Sequence, residues 1–236
     1  MNLRMSKYDK SLLKEKFKDV KEEISKEPKT RQPNDHVLIV DGLNTFIRAF
    51  AVNPALNEDG AHVGGIVGFL KSIRFTINKF KPTRCVITFD GKHGSKPRQK
   101  IYSQYKAGRK QRSRLNRNVD WATNPQDERE SMKLQLGRLV EYLEHLPLTL
   151  IAIDNLEADD VMAYVSNVSL KDSKVTIMST DKDFYQLVSD RVQLYSPTKK
   201  ITYNRELVKK EFGIYPQNVL TCRVIDGDKS DGIPGI

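Results

Sequence analysis

Between Leu156 and Tyr164 the chain reads LEADDVMAY, with Glu157, Asp159 and Asp160 crowded at the start of an apolar, helix-like pattern. Like charges this close raise one another's pKa and repel, so the cluster costs stability until a cation or solvent separates them. Other acids recur in comparable places. Asp41 ends the run HVLIVDG, Asp90 ends RCVITFDG, and Asp181 and Asp183 close and follow KVTIMSTD. One Asp at a strand end or helix start is ordinarily a cap or turn residue. Recurrence at four strand ends favours a shared site instead. In an open parallel sheet these ends lie on one edge, where ligands bind in a crevice. Seven carboxylates would then converge, with Asp228 and Asp231 of DGDKSDGIPGI placed to join them. Hard oxygen ligands in that number suit Mg²⁺ or Mn²⁺ better than softer metals. No twelve-residue EF-hand loop is present, and Asp154 and Asp190 read as turn and surface acids.

The opposite charge is concentrated in one place. From Lys92 to Arg117 there are ten Lys and Arg and no Asp or Glu, which equals the +10 net charge of the whole chain. A polyanion is the natural partner of such a segment. A divalent metal cluster facing a basic, tyrosine-bearing stretch points to phosphodiester chemistry. Two ions roughly 3.5 to 4 Å apart activate a water, hold the phosphate and stabilise the departing oxygen, so no protein nucleophile is needed. The chain has neither GxSxG nor a Walker-type GxxxxGK[ST] motif. His36, His62, His93 and His145 lack ligand spacing and read as structural or solvent residues.

These side chains need a scaffold. The runs 36–42, 84–91, 148–154, 174–181 and 191–196 are short and β-branched without polar alternation, as strands buried on both faces are. Val63, Ile66, Val67, Leu70, Ile73 and Ile77 form one helical stripe, and Met132, Leu136, Leu139, Val140 and Leu143 another. Alternating strand and helix predicts an α/β fold with a doubly wound, mainly parallel sheet. With 236 residues, 38% of them hydrophobic, the chain can bury one sizeable core. Residues 1–35 carry ten Lys and Arg against seven Asp and Glu and few large apolar residues, and read as a charged, flexible extension. No apolar run is long enough to span a bilayer, and no signal peptide is legible. Cys85 and Cys222 stand singly in apolar surroundings, which fits a reducing, cytoplasmic setting.

Six motifs, LIVDGLN, FDG, PRQKIYSQYKAGR, EADD, STDKDFYQLVSD and GDKSDGIPGI, stand in the order and spacing of the 5′ nucleases. Over residues 36–236 the chain resembles the flap endonucleases of bacteriophages and the 5′-nuclease domain of bacterial DNA polymerase I. The resemblance implies a PIN-like 5′-nuclease fold and a Mg²⁺-dependent 5′→3′ exonuclease and flap endonuclease. It implies two ions, with Mn²⁺ as substitute. Asp41, Asp90, Glu157, Asp159 and Asp160 would surround one, and Asp181, Asp183, Asp228 and Asp231 would extend the site to the second, some through water. The substrates implied are DNA with a 5′ flap or 5′ end and RNA–DNA primer hybrids, with a polymerase or single-strand binding protein as assistant and no membrane. The setting is the cytoplasm, that of the host if the chain is phage-encoded.

The same likeness assigns Lys106 and Arg109 to the scissile phosphate, with Arg98 in support. Residues 92–125 would form a helical arch or clamp over a 5′ single strand, contacting nucleic acid through Lys110, Arg112, Arg114 and Arg117. Tyr102 and Tyr105 either stack on bases or pack against the protein. Gly60, Gly64, Gly65 and Gly68 either admit DNA or serve helix packing. Gly232 stands where the family usually has Asn. Residues 226–236 would begin a helix–three-turn–helix that is largely absent beyond Ile236. Two other readings stay open: a nucleic-acid binding protein whose catalysis is weakened or lost by that truncation, and a PIN-type endoribonuclease. The latter has no need of the long basic arch or of GDKSDGIPG.

Overall fold

The strand-like runs settle into one sheet in the order β3-β2-β1-β4-β5-β6. The computed structural model describes residue 18 and residues 32–108, 115–119 and 125–236. All elements discussed lie in the unit Pro33–Ile236. Most of the expected 1–35 extension, part of the expected arch, and Arg109, Lys110, Arg112 and Arg114 lie outside the described residues. The strands are β1 (His36–Asp41), β2 (Arg84–Asp90), β3 (Thr149–Ile153), β4 (Lys174–Met178), β5 (Val192–Ser196) and β6 (Ile201–Tyr203). The first five pair in parallel, as the sequence predicts, and β6 adds an antiparallel edge to β5. With three residues, β6 is too short to announce itself by periodicity.

Helices α1 (Gly42–Val52), α2 (Gly64–Phe80) and α4 (Pro125–Glu144) supply Phe46, Phe50, Phe69, Ile73, Leu139 and Leu143 to one core. Leu38, Val40, Ile87 and Met178 face them from the sheet. Because successive strand residues point to opposite faces, Val37, Ile39, Val175 and Ile177 meet a second core. There they join Met162 of α5 (Ala158–Tyr164), Val208 of α6 (Arg205–Phe212) and Val219 of α7 (Val219–Asp226). Each fully buried Phe or Leu contributes roughly 1.5–3 kcal/mol, so this double burial fixes the strand register firmly. Short α3 (Lys96–Ile101) lies in the basic segment.

Gly65 and Gly68 serve helix packing. A Cβ at Gly65 would stand 2.7 Å from the Phe46 ring and one at Gly68 2.9 Å from Ala49 Cβ, so both let α2 approach α1. Register then places the chemistry. Asp41 pairs with Thr88 and Val40 with Met178, while Asp90 pairs with Ile153. The carboxyl ends of β1, β2, β3 and β4 therefore share one edge. Successive strands run outward from β1 to β3 and resume on the other side at β4, so Asp41 sits at the topological switch point.

Candidate active site

Asp41 is the N-cap of α1: its Oδ1 accepts from the Asn44 amide at 3.1 Å and its Oδ2 from Ser179 Oγ at 2.9 Å. Ser179 is fully buried at the end of β4 and also accepts from the Asp181 amide at 3.1 Å. Asp181 in turn accepts from the Asp183 amide at 2.9 Å, starting a 3₁₀ turn over Lys182–Leu187. Every donor here is neutral. Burial pushes the Asp41 carboxyl up to about 6, against its two hydrogen bonds and with the charges of Asp181 and Asp90 adding to the rise. Asp90 faces the other way round the edge, accepting from the Ala158 amide at 2.7 Å and so holding the start of α5.

Glu157, only 4% exposed, has the opposite surroundings. Its Oε1 accepts from Ser95 Oγ and from Lys106 Nζ at 2.7 Å, and its Oε2 accepts from the Arg98 guanidinium and from Tyr105 OH at 2.8 Å. A carboxylate has about four acceptor positions, and protein donors fill them. Burial would raise this carboxyl, but the donors Lys106, Ser95 and Tyr105 outweigh it and hold it at about 2. Arg98 reaches Asp160 at 2.7 Å and Asp159 at 3.7 Å as well. The cluster that opens α5 is thus held together by two cations from the basic segment. Tyr105 takes the packing alternative. It is 5% exposed, with Lys106 Nζ 4.9 Å from its ring centre, so it supports Lys106 and offers no face to a base. Tyr102 is half-buried and donates to Gln104 at 3.2 Å.

A third group closes the edge. Arg223 of α7 pairs with Asp183 at 2.5 Å and reaches Asp228 at 3.7 Å. Asp183 is raised by burial and by Asp181, which Arg223 opposes. Asp228 is lowered: burial is outweighed by donation from Ser230 and by Arg223. Asp231 accepts at its carbonyl from the Lys106 amide at 2.9 Å, which ties this loop to the basic segment. Gly232, at φ +73°, occupies the left-handed region that Gly and Asn share, so the departure from the family residue preserves the backbone form.

Among the described residues no three His, Cys, Asp or Glu side chains are grouped closely enough to hold one ion. The chemistry of the donor set nevertheless fits a hard divalent cation: the candidate ligands are all carboxylate oxygens, and Asp41, whose hydrogen-bond donors are neutral, stands raised by burial. Asp154 and Asp190 act as read from sequence, the first accepting from the Lys92 amide at 3.2 Å and the second pairing with Arg205 at 3.2 Å. Ser95, Ser179 and Arg223 are not legible as site residues in the sequence. Only their position beside acids distinguishes them, and that comes from the fold. Arg117 is exposed.

Comparison with known proteins identifies the family and the fold. The model of the 5′-3′ exonuclease N-terminal resolvase-like domain matches residues 36–213. A 5′-3′ exonuclease of Aquifex aeolicus is 36% identical over 200 residues, 84% of this chain and 63% of that protein. The thermostable DNA polymerase I of Thermus thermophilus is 31% identical over 207 residues, 87% of this chain and 23% of that one. This chain thus spans less than two thirds of either relative. The phage T5 D15 protein, crystallised with metal ions, has the same fold, with a TM-score of 0.67 at 20% identity over 85% of this chain and 69% of that one. The chain belongs to the 5′-3′ exonuclease family, whose N-terminal resolvase-like domain it carries.

Proposed function

We propose that the protein is a metal-dependent 5′→3′ exonuclease and structure-specific flap endonuclease that leaves a 5′-phosphate. The observation that carries this reading is the meeting, at one sheet edge, of the acids Glu157 and Asp160 with two cations of the basic segment, Arg98 and Lys106. Asp41, Asp90, Asp159, Asp160, Asp181, Asp183, Asp228 and Asp231 would hold two Mg²⁺, or Mn²⁺, with Glu157 contributing through the neighbours that fill its acceptor positions. The ions would activate the attacking water and stabilise the departing oxygen. Lys106 is positioned by Glu157 and Tyr105, which keep its ammonium charged: burial lowers its pKa but both partners raise it further. From there it places positive charge where the phosphate gains negative charge. Arg98 neutralises the start of α5 and supports Lys106, and Arg109 would join it.

The substrates on this reading are 5′ flaps, 5′ ends and RNA primers on DNA, processed in the cytoplasm. Among relatives, the T5 D15 flap endonuclease has been crystallised with DNA and metal ions, and others are DNA polymerase I chains. A polymerase is accordingly the natural assistant. The test is cleavage of a 5′-flap duplex in Mg²⁺, in Mn²⁺ and in chelator, by the parent and by Asp181→Ala and Asp183→Ala. Both variants should fold, losing about 0.5–2 kcal/mol at most with the Asp181 cap or the Arg223 pair, and lose cleavage. Parental cutting by either folded variant would sink the proposal.

A further inference from the structure

A cavity of about 200 Å³ opens beside the acids, on the β4–β5 flank of the switch point. Arg48, Thr180, Lys182, Ser196, Thr198 and Lys199 line it, and no acidic residue does. Its wall includes Ser179, the residue that donates to Asp41, so it adjoins the candidate metal centre without sharing its carboxylates. Arg48 stands two helical turns after Asp41 on α1. Its guanidinium donates to Thr180 Oγ1 at 3.3 Å and to Thr198 Oγ1 across the cavity. Thr180 is itself fixed by donating to Asn44 Oδ1 at 2.9 Å, and the Asn44 amide donates to Asp41.

The contrast with the ion-paired arginines is chemical, although Arg191 too is held by neutral groups, the Leu170 carbonyl and the Asn167 side chain, and does not line the cavity. Arg98, Arg138, Arg205 and Arg223 each meet a carboxylate. Arg48 is half-buried yet held by neutral hydroxyls, and among the described residues no carboxylate pairs with it. Desolvating a guanidinium is costly unless an anion compensates. Lys182, which lies 5.8 Å over the Phe212 ring, also has no acidic partner among the described residues, while Lys199 shares Glu211 at 3.3 Å. Fixed guanidinium, hydroxyl donors and two further ammonium groups make a receptor for a tetrahedral oxyanion, and an Arg fork suits phosphate in particular.

We propose that this cavity is a second phosphate subsite, which binds a phosphate of the nucleic-acid strand away from the one at the metal centre. It rests on the nuclease reading for the identity of that strand. Two sources carry the same group: a 5′-terminal phosphate and an internal phosphodiester.

The test compares the parent with Arg48→Ala, and with Thr198→Val and Lys199→Ala on the exposed β5–β6 turn, on flap duplexes bearing either a 5′-phosphate or a 5′-hydroxyl. Affinity is read by fluorescence anisotropy without divalent metal over a range of salt, and single-turnover cleavage at saturating DNA in Mg²⁺. Arg48→Ala should raise Kd about tenfold and flatten the salt slope by about 0.7 to 0.9, the loss of one phosphate contact. The saturated rate should change by less than about threefold, since the contact is made equally in ground and transition states. Thr198→Val and Lys199→Ala should each raise Kd about two- to threefold, and they carry the test if Arg48→Ala does not fold. An effect confined to 5′-phosphorylated DNA assigns the terminal phosphate; an equal effect on both assigns the backbone. Parental Kd and salt slope in the folded variants would overturn the subsite and leave the nuclease reading standing. Weakened binding alongside a parent that cuts nothing would overturn the nuclease reading and leave the subsite.

Discussion

Asp41, half-buried, and Glu157, buried, are carboxylates at the same sheet edge, yet they are pushed in opposite directions. Asp41 receives only an amide and a hydroxyl, and burial lifts it to about 6. Glu157 receives two cations and two hydroxyls and is held at about 2. On the proposed reading the first flank, where Asp41 meets only neutral donors, would take the external cation. The second already contains its counter-ions, which come from the segment expected to touch the scissile phosphate. One cluster of acids thus divides into a flank suited to holding metal and a flank suited to aiming Lys106 and Arg98.

The largest expected effect tests the first half of that contrast. Asp41→Asn should remove cleavage by at least about a hundredfold and weaken Mg²⁺ binding followed by calorimetry. Its effect on metal-free stability has a definite sign. Because folding raises this carboxyl from 3.8 to about 6, its favourable contribution is complete below about pH 4 and is lost as pH rises through about 6. Asn does not titrate, so thermal melts in chelator should show the variant gaining on the parent from pH 4 to 6, with a constant advantage above. A gap that stays flat across that window would mean Asp41 is not strained by burial.

Lys106→Ala comes next. It should slow single-turnover cleavage by about a hundredfold while changing DNA affinity far less, as removal of a transition-state contact does. Equal losses in affinity and rate would make Lys106 an ordinary binding residue. Glu157→Gln should act more mildly on the same step. It leaves Lys106 and Arg98 partly unpaired, costing about 1–3 kcal/mol at neutral pH and roughly tenfold in rate, with Mg²⁺ affinity less affected than in Asp41→Asn. Here the sign reverses. A carboxyl lowered from 4.5 to about 2 stabilises the fold above its unfolded value, and that contribution disappears as pH falls through about 2. If Glu157→Gln weakened metal binding as severely as Asp41→Asn, the division into two flanks would fail.

Much of this division is legible in the amino-acid sequence. The five parallel strands announce themselves by β-branched runs, though β3 is not buried on both faces as expected but lies at the sheet edge with Ile153 45% exposed, and strand-end acids follow from where an open sheet places its ligands. The basic segment stands out by charge alone. What one dimension hides are the groups whose meaning is purely spatial. Ser179 and Thr180 are unremarkable hydroxyls until β4 is set beside β1, and Arg48 becomes notable only when its partners prove to be the hydroxyls of Thr180 and Thr198. Arg223 lies forty residues from Asp183, which it pairs with. Tyr105 illustrates the reverse limit. An aromatic in a basic segment suits stacking and packing equally in one dimension, and only its burial against Glu157 decides.

The smallest effect concerns the loop that joins the two flanks. Gly232 follows Asp231, whose carbonyl accepts from the Lys106 amide, and it adopts φ +73°. That region favours Gly, tolerates Asn and strains β-branched residues. A Cβ there would stand 3.1 Å from the Gln104 carbonyl oxygen, tight enough that the neighbouring turn must yield by a few tenths of an ångström. Gly232→Asn should therefore cost about 1 kcal/mol or less and leave flap cleavage within about twofold. Gly232→Val, which cannot relax in the left-handed region, should cost about 1–3 kcal/mol and lower the cleavage rate by disturbing Lys106. Melting curves and single-turnover rates on the pair separate the two causes. If Asn and Val were equally damaging, the contact with Gln104 would be the constraint; if both were harmless, the loop would not position Lys106 at all.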